Sequence, residues 1–185
     1  LCRDWSSDVC SSDLNWHALF VHTGREDYIK KHIDFRLNYD NINDYRLIVP
    51  KRKLRERKNG AWIDVQKTLF PGYILINSDE IVDWSRQFRD ITGLVRILRN
   101  GHELAEIAPS EVEVINKLIT NDDLIGFSTV LVKGTAIQVI EGPLLSMEGY
   151  IQSIDTRKGR AKVIFNFLGE QRTIDLGVNI LKPVL

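Results

Sequence analysis

Apolar positions along this chain follow two different periods, and the change from one to the other divides it. Trp16 to Val21 is an apolar run of strand length. Thr23 and Glu26 stand three residues apart, the spacing of a capping box in which each side chain satisfies the other's free amide. Behind them Ile29, Ile33 and Leu37 recur at helical spacing, with Tyr28, His32 and Phe35 alongside. Leu47-Ile48-Val49 predicts a short strand stopped by Pro50, and Ala61 to Val65 and Leu69 to Ile76 predict two more. Ile81, Trp84, Phe88 and Ile91 predict a second helix, and Val95 to Leu98 a further strand. Pro109, Ser110 and Glu113 are start signals for a third helix carrying Val112, Ile115 and Ile119. Without a Gly-rich phosphate loop after the first strand, the alternation argues for an antiparallel α+β domain over a dinucleotide-binding fold.

The helical period disappears after a break at Asn121-Asp122-Asp123. From about Val132, glycines at 134, 142, 149, 159, 169 and 177 punctuate runs rich in Val, Ile and Phe. That spacing predicts a small closed all-β barrel of modest stability. The expected division is a leader over 1–14, an α+β domain over 15–120, a linker over 121–131 and a barrel over 132–185.

Composition narrows the function. Lys+Arg and Asp+Glu are both 25 in 185 residues, so a signal for nucleic acid has to be local. No apolar stretch approaches the ~20 residues of a membrane span, and no membrane partner is expected. Leu1 to Leu14 holds both cysteines, Cys2 and Cys10, shows no periodicity and lacks the basic and apolar regions of a signal peptide. It reads as a non-native or disordered leader. The chain beyond it has no cysteine, which leaves no disulfide, thiolate zinc site or thiol nucleophile and suits a reducing cytoplasm.

Three motifs carry candidate chemistry. Lys51-Arg52-Lys53-Leu54-Arg55-Glu56-Arg57-Lys58 precedes Asn59-Gly60, a pair that tolerates the positive φ angles of a tight hairpin turn. Such an arm can lie along phosphates, or its charges can simply protect an exposed edge from aggregation. In Phe70-Pro71-Gly72-Tyr73 two aromatics flank a bend, either as a docking patch or as core. Arg157-Lys158-Gly159-Arg160-Ala161-Lys162 sets four cations around a glycine, either an RNA contact or an ordinary polar turn. Arg172 adds to the basic side of this segment. His17, His22, His32 and His102 fall at no metal-binding spacing, and no serine lies in a nucleophile elbow. No enzyme activity, cofactor or metal is expected.

Taken in order, the motifs resemble the NusG family. Trp16-His17-Ala18-Leu19-Phe20-Val21, Thr23-Gly24-Arg25-Glu26 and above all Leu69-Phe70-Pro71-Gly72-Tyr73-Ile74-Leu75-Ile76 are similar to its N-terminal domain. Lys133-Gly134, Gly142-Pro143-Leu144 and Glu148-Gly149 resemble the KOW motif of its C-terminal barrel. The resemblance implies a monomer whose N-terminal domain sits on the clamp helices of bacterial RNA polymerase through Phe70 and Tyr73, with Trp16 in the neighbouring strand. It also implies that Lys51, Arg52, Lys53, Arg55, Arg57 and Lys58 face nucleic acid near the transcription bubble, non-template DNA included. One departure stands out. Housekeeping members carry Phe-Gly-Arg where this chain has Leu168-Gly169-Glu170. With the basic turn, that resembles LoaP-type antitermination paralogs, whose barrel reads an RNA hairpin; here Arg157, Lys158, Arg160, Lys162 and Arg172 would do so. The rival expectations are a housekeeping elongation factor with a protein-binding barrel and a stand-alone ribosome- or RNA-binding KOW protein.

Overall fold

The computed structural model describes residues 15–78, 84–100, 103–119, 123–134 and 136–181. The leader, Ile81, Asn121-Asp122 and His102 lie outside the described residues. The first domain comprises strand β1 (Trp16–Val21), helix α1 (Glu26–Tyr39), β2 (Tyr45–Ile48), β3 (Lys51–Lys58), β4 (Ala61–Thr68), β5 (Tyr73–Ser78), α2 (Trp84–Gln87), β6 (Leu94–Ile97), β7 (Arg99–Asn100), β8 (Glu103–Leu104) and α3 (Pro109–Leu118). A connection carrying β9 (Leu124–Ile125) leads to the second, which comprises β10 (Ser128–Lys133), β11 (Ala136–Glu141), β12 (Ile151–Asp155), β13 (Arg160–Phe167) and β14 (Glu170–Leu181).

An antiparallel sheet in the order β2-β5-β1-β6 is the frame of the first domain. Because side chains alternate across a strand, Leu19, Val21, Ile74 and Ile76 face α1 and cluster with Ile29, Ile33 and Leu37. Trp16, Ala18 and Leu75 face the other way, into a cluster with Ile107, Ile115 and Leu118 around α3. That second cluster runs on without a break into the barrel interior, through Val130, Val163, Phe165 and Phe167. The barrel sheet has the order β11-β10-β14-β13-β12, and β14 is long enough to pair antiparallel with β13 and then parallel with β10. β9 pairs parallel with β3, so the connection between the domains is itself part of the β3–β4 sheet.

Several expectations change in detail. The Thr23–Glu26 capping box does not form: α1 has no side-chain cap, because the Glu26 carboxylate instead accepts a 2.8 Å bond from the amide of Gly72. A partner fixed by the sheet displaces a local one. Leu69 and Phe70 lie outside β5, whose pairing begins only at Tyr73 after the Pro71-Gly72 bend. Among the described residues the second helix is a single turn, and the barrel's first strand begins at Ser128, ahead of Val132. The predicted hairpin is present, with Asn59 and Gly60 both at positive φ (51° and 84°) and Lys51 to Lys58 paired residue by residue with Thr68 to Ala61.

Where the barrel meets the hairpin, the backbones approach unusually closely. A Cβ on Gly177 would sit 2.5 Å from the Lys53 carbonyl oxygen and 2.4 Å from the Phe127 ring. No side chain fits there without moving one domain or the other. Gly177→Ala is therefore expected to lower stability by about 1–3 kcal/mol in urea unfolding and to separate the domains, seen as a larger radius of gyration in solution scattering.

Candidate functional site: an aromatic patch and two basic arms

Phe70 and Tyr73 are held on opposite sides of the Pro71-Gly72 bend, which is tied down by bonds from Val21 N to Gly72 O (2.8 Å) and Tyr73 N to Phe70 O (3.1 Å). Phe20, the β1 partner of Tyr73, completes the patch with ring centroids 5.4 Å apart. Trp16 does not reach it. It pairs with Asn77 at the far end of β1, is 3% exposed, and is enclosed by Ile107, Val112 and Ile115.

The barrel covers this patch. Phe167 stacks on Phe70 at 3.8 Å with the planes 5° apart, Phe165 meets Phe70 edge-on at 5.8 Å, and Tyr73 meets Phe167 edge-on at 5.5 Å. Phe70 is thereby left 5% exposed. Burial of such a ring contributes about 1.5–3 kcal/mol, and the aromatic geometry about 0.5–1.5 kcal/mol more per pair. Beside the stack, Glu111 at the start of α3 accepts two 3.0 Å bonds, from the amides of Leu168 and Gly169. The turn that departs from Phe-Gly-Arg is thus the one that α3 grips.

A second attachment lies at the other end of β13, ~23 Å away at ~3.3 Å per residue. Arg160 donates to the carbonyl oxygen of Arg55 (3.3 Å) and sits 3.6 Å from Glu56 and 3.5 Å from Asp175. Arg52 donates to the carbonyl oxygen of Asp175 at 2.7 Å. Burial lowers the Arg52 pKa, Asp175 opposes that shift and Arg160 adds to it. The guanidinium still carries its charge at neutral pH.

These contacts sort the expected nucleic-acid residues. Lys51 pairs with Asp27 at 2.8 Å, Arg55 with Asp64 at 3.3 Å, and Arg52 and Arg160 brace the domains. Arg172 lies at the opposite end of the barrel from the basic turn, 2.6 Å from Glu170. Arg57, Lys58, Arg157, Lys158 and Lys162 are exposed and make no salt bridge among the described residues. The β12–β13 turn that presents Arg157 and Lys158 is shaped by Asp155, whose carboxylate accepts from both their amides at 3.0 Å. The bond from Lys158 foremost, then that from Arg157, holds this carboxyl below its usual pKa. The two arms converge on one cleft, lined by Arg55 and Trp62 from the hairpin and by Arg157 and Lys158 from the barrel.

No sequence motif marks Glu111 or Trp62, and Phe167 belongs to the Asn166 to Glu170 run of the LoaP-type resemblance without its packing role being readable there. Glu111 was detectable as an acid in line with Ile115 and Leu118 on the buried face of α3. Among the described residues no group of three or more His, Cys, Asp or Glu could hold a metal. His17 donates instead to the Ala105 carbonyl oxygen at 3.3 Å. No described helix is long and apolar enough to cross a membrane.

An α+β domain whose aromatic patch is capped by a small β-barrel, with cations on both, is the architecture of a two-domain binding protein. Comparison with known proteins specifies it. The family model "Transcription termination factor nusG" matches residues 14–116, and the chain belongs to the NusG family. The transcription termination/antitermination protein NusG of Bacillus subtilis (strain 168) is 29% identical over 169 residues, covering 89% of this chain and 95% of that protein. Its counterpart in Staphylococcus aureus (strain N315) is 25% identical over 166 residues, covering 87% and 91%. The solved structure "Domain interaction in Thermotoga maritima NusG" superposes with a TM-score of 0.55 at 17% identity, covering 89% and 93%, a likeness of fold. Family membership makes the chain a NusG-type transcription termination/antitermination factor.

Glu111→Ala is expected to leave two amides without their acceptor and to weaken docking by about 1–3 kcal/mol. Hydrogen exchange at Leu168 and Gly169 should accelerate by roughly tenfold or more, while exchange in β1 and β5 stays unchanged. Equal acceleration throughout would mean that the whole protein had been destabilised.

Proposed function

We propose that this chain is a specialised processive antitermination factor. Its N-terminal domain binds the clamp of RNA polymerase through the Phe20–Phe70–Tyr73 patch, and its barrel binds a structured RNA. The observation that carries the reading is the Phe70–Phe167 stack, in which the patch acts as an adhesive apolar surface and the barrel's own rings occupy it. Polymerase and barrel then compete for one face, and the factor acts only when the barrel is released. Release also frees Arg160 from Glu56, Asp175 and the Arg55 carbonyl, so an RNA hairpin that takes Arg160 shifts the equilibrium toward the open form. Replacement of the family's Phe-Gly-Arg by Leu168-Gly169-Glu170 removes the ring and reverses the charge, and that favours this reading over a housekeeping factor with a protein-binding barrel.

Pulldown of core polymerase by the full chain tests the first half. Glu111→Ala should increase capture by exposing the patch. In that background Tyr73→Ala should reduce capture well over tenfold, the loss of ~2 kcal/mol typical of a desolvated interface ring. Capture indifferent to both changes would remove polymerase docking from this face.

Titration against structured leader RNAs tests the second half. With two or three phosphate contacts from Arg157, Lys158 and Lys162, the log–log salt slope should be roughly −2 to −3. Arg160→Ala should lose the preference for a hairpin, whereas Lys162→Ala should weaken all RNAs about equally. Equal, weak binding to hairpins, duplexes and single strands would put the protein-binding barrel ahead.

A further inference from the structure

We propose that the cleft between the β3–β4 hairpin and the β12–β13 turn binds a single-stranded nucleic-acid segment, with an unpaired base stacked on Trp62 and the adjoining phosphates on Arg57, Arg157 and Lys158. This deepens the nucleic-acid role proposed for the two basic arms and rests on it. The cleft has a volume of about 580 Å³, with Arg55 and Trp62 on one wall, Arg157 and Lys158 on the other, and Val178 and Ile180 as an apolar floor. Its lining contains three cations and no carboxylate. Trp62 is 52% exposed, a large ring that the fold leaves in water. Arg57 pairs with Trp62 across the hairpin and therefore shares its face. Arg55 is already engaged by Asp64, whereas Arg57, Arg157 and Lys158 make no salt bridge among the described residues. An exposed indole beside such cations is the arrangement that binds a base by its π-face and the backbone by its charge. A duplex, whose bases already stack on one another, offers no free face to that ring.

The walls belong to different domains, and Arg160, bonded to the Arg55 carbonyl oxygen, holds them together. The site therefore exists only in the docked form. By linkage, a strand in the cleft favours docking and opposes exposure of Phe70, the reverse of what a hairpin that captures Arg160 does.

Fluorescence anisotropy with the full chain tests this, using labelled ten-nucleotide U-tract RNA, the matching dT-tract DNA, a duplex and an acidic poly-Glu peptide. Both single strands, or the RNA alone, should bind in preference to the duplex; RNA selectivity would identify the transcript as the source. Trp62→Ala should weaken the single strand by roughly 10- to 100-fold, Trp62→Phe should restore most of the affinity, and Lys158→Ala should make the salt slope shallower by about one. Gly177→Ala, which separates the walls, should lose single-strand binding even where hairpin binding persists. Single-strand affinity unchanged in Trp62→Ala or Gly177→Ala, equal affinity for the duplex, or preference for the peptide would overturn the proposal. Hairpin binding intact alongside any of those results leaves the antitermination reading standing, whereas no binding to any nucleic acid sinks both.

Discussion

An ionised carboxylate moved out of water incurs a desolvation cost of several kcal/mol unless hydrogen bonds replace its hydration. Glu111 is 7% exposed, and the bonds that compensate it come from the other domain, one to each oxygen from Leu168 and Gly169. That constraint fixes the arrangement of the molecule. The β13–β14 turn has to stand over the first turn of α3, which brings Phe167, the last residue of β13, onto Phe70. It also directs the other end of β13 toward the hairpin, where Arg160 finds a carbonyl and two carboxylates. Loss of the turn would expose the carboxylate to water at once, so the Glu111 contact can open without leaving a buried charge behind. Its two hydrogen bonds favour the closed form, and in the open form water replaces them.

Docking affects any partner that needs the aromatic face. A protein whose competent form is one part in a hundred binds with about a hundredfold lower apparent affinity. Under the proposed function the competent form is the one in which Phe167 has left Phe70. Net charge of zero contributes nothing to long-range recruitment, so discrimination rests on local groups. Under the proposed function these are the patch for a protein partner and the exposed Arg57, Lys58, Arg157, Lys158 and Lys162 for a polyanion. Patch and cations lie at opposite ends of β13, so occupancy of one reports on the other only through the domain arrangement.

Much of the fold was legible in the sequence because local rules and tertiary structure agree there. The apolar run of Trp16 to Val21, the four-residue spacing of Ile29, Ile33 and Leu37, and the Asn59-Gly60 turn are each sufficient for their element. The capping box failed where a long-range acceptor role for Glu26 won. The site was legible only in its parts. Phe70-Pro71-Gly72-Tyr73 and both basic segments stand out in a linear reading, yet whether Phe70 is core or surface has no linear answer, since its burial is made by Phe167 at a distance of 97 residues. Arg160 looked like a member of the basic turn, but β13 carries it inward while Arg157 and Lys158 stay in water. Trp62 carries no signal in the sequence, because nothing there says that a barrel turn will stand opposite it.

The two-ended attachment also makes docking cooperative. Once Glu111 holds the turn, the Arg160 end searches a small volume for its partners, as a second module on a short linker does, and the entropy of bringing it there has already been lost. The converse holds for release. A ligand that captures Arg160 removes more than that residue's own bonds, because the Phe70 stack and the Glu111 bonds must then hold the barrel alone. β9 limits how far such release can go. Its two residues pair with Lys51 and Arg52, so the chain enters the barrel only a few residues from the hairpin, and the connection is short. A connection that short limits the volume an undocked barrel can search, which lowers the entropy lost when it docks again.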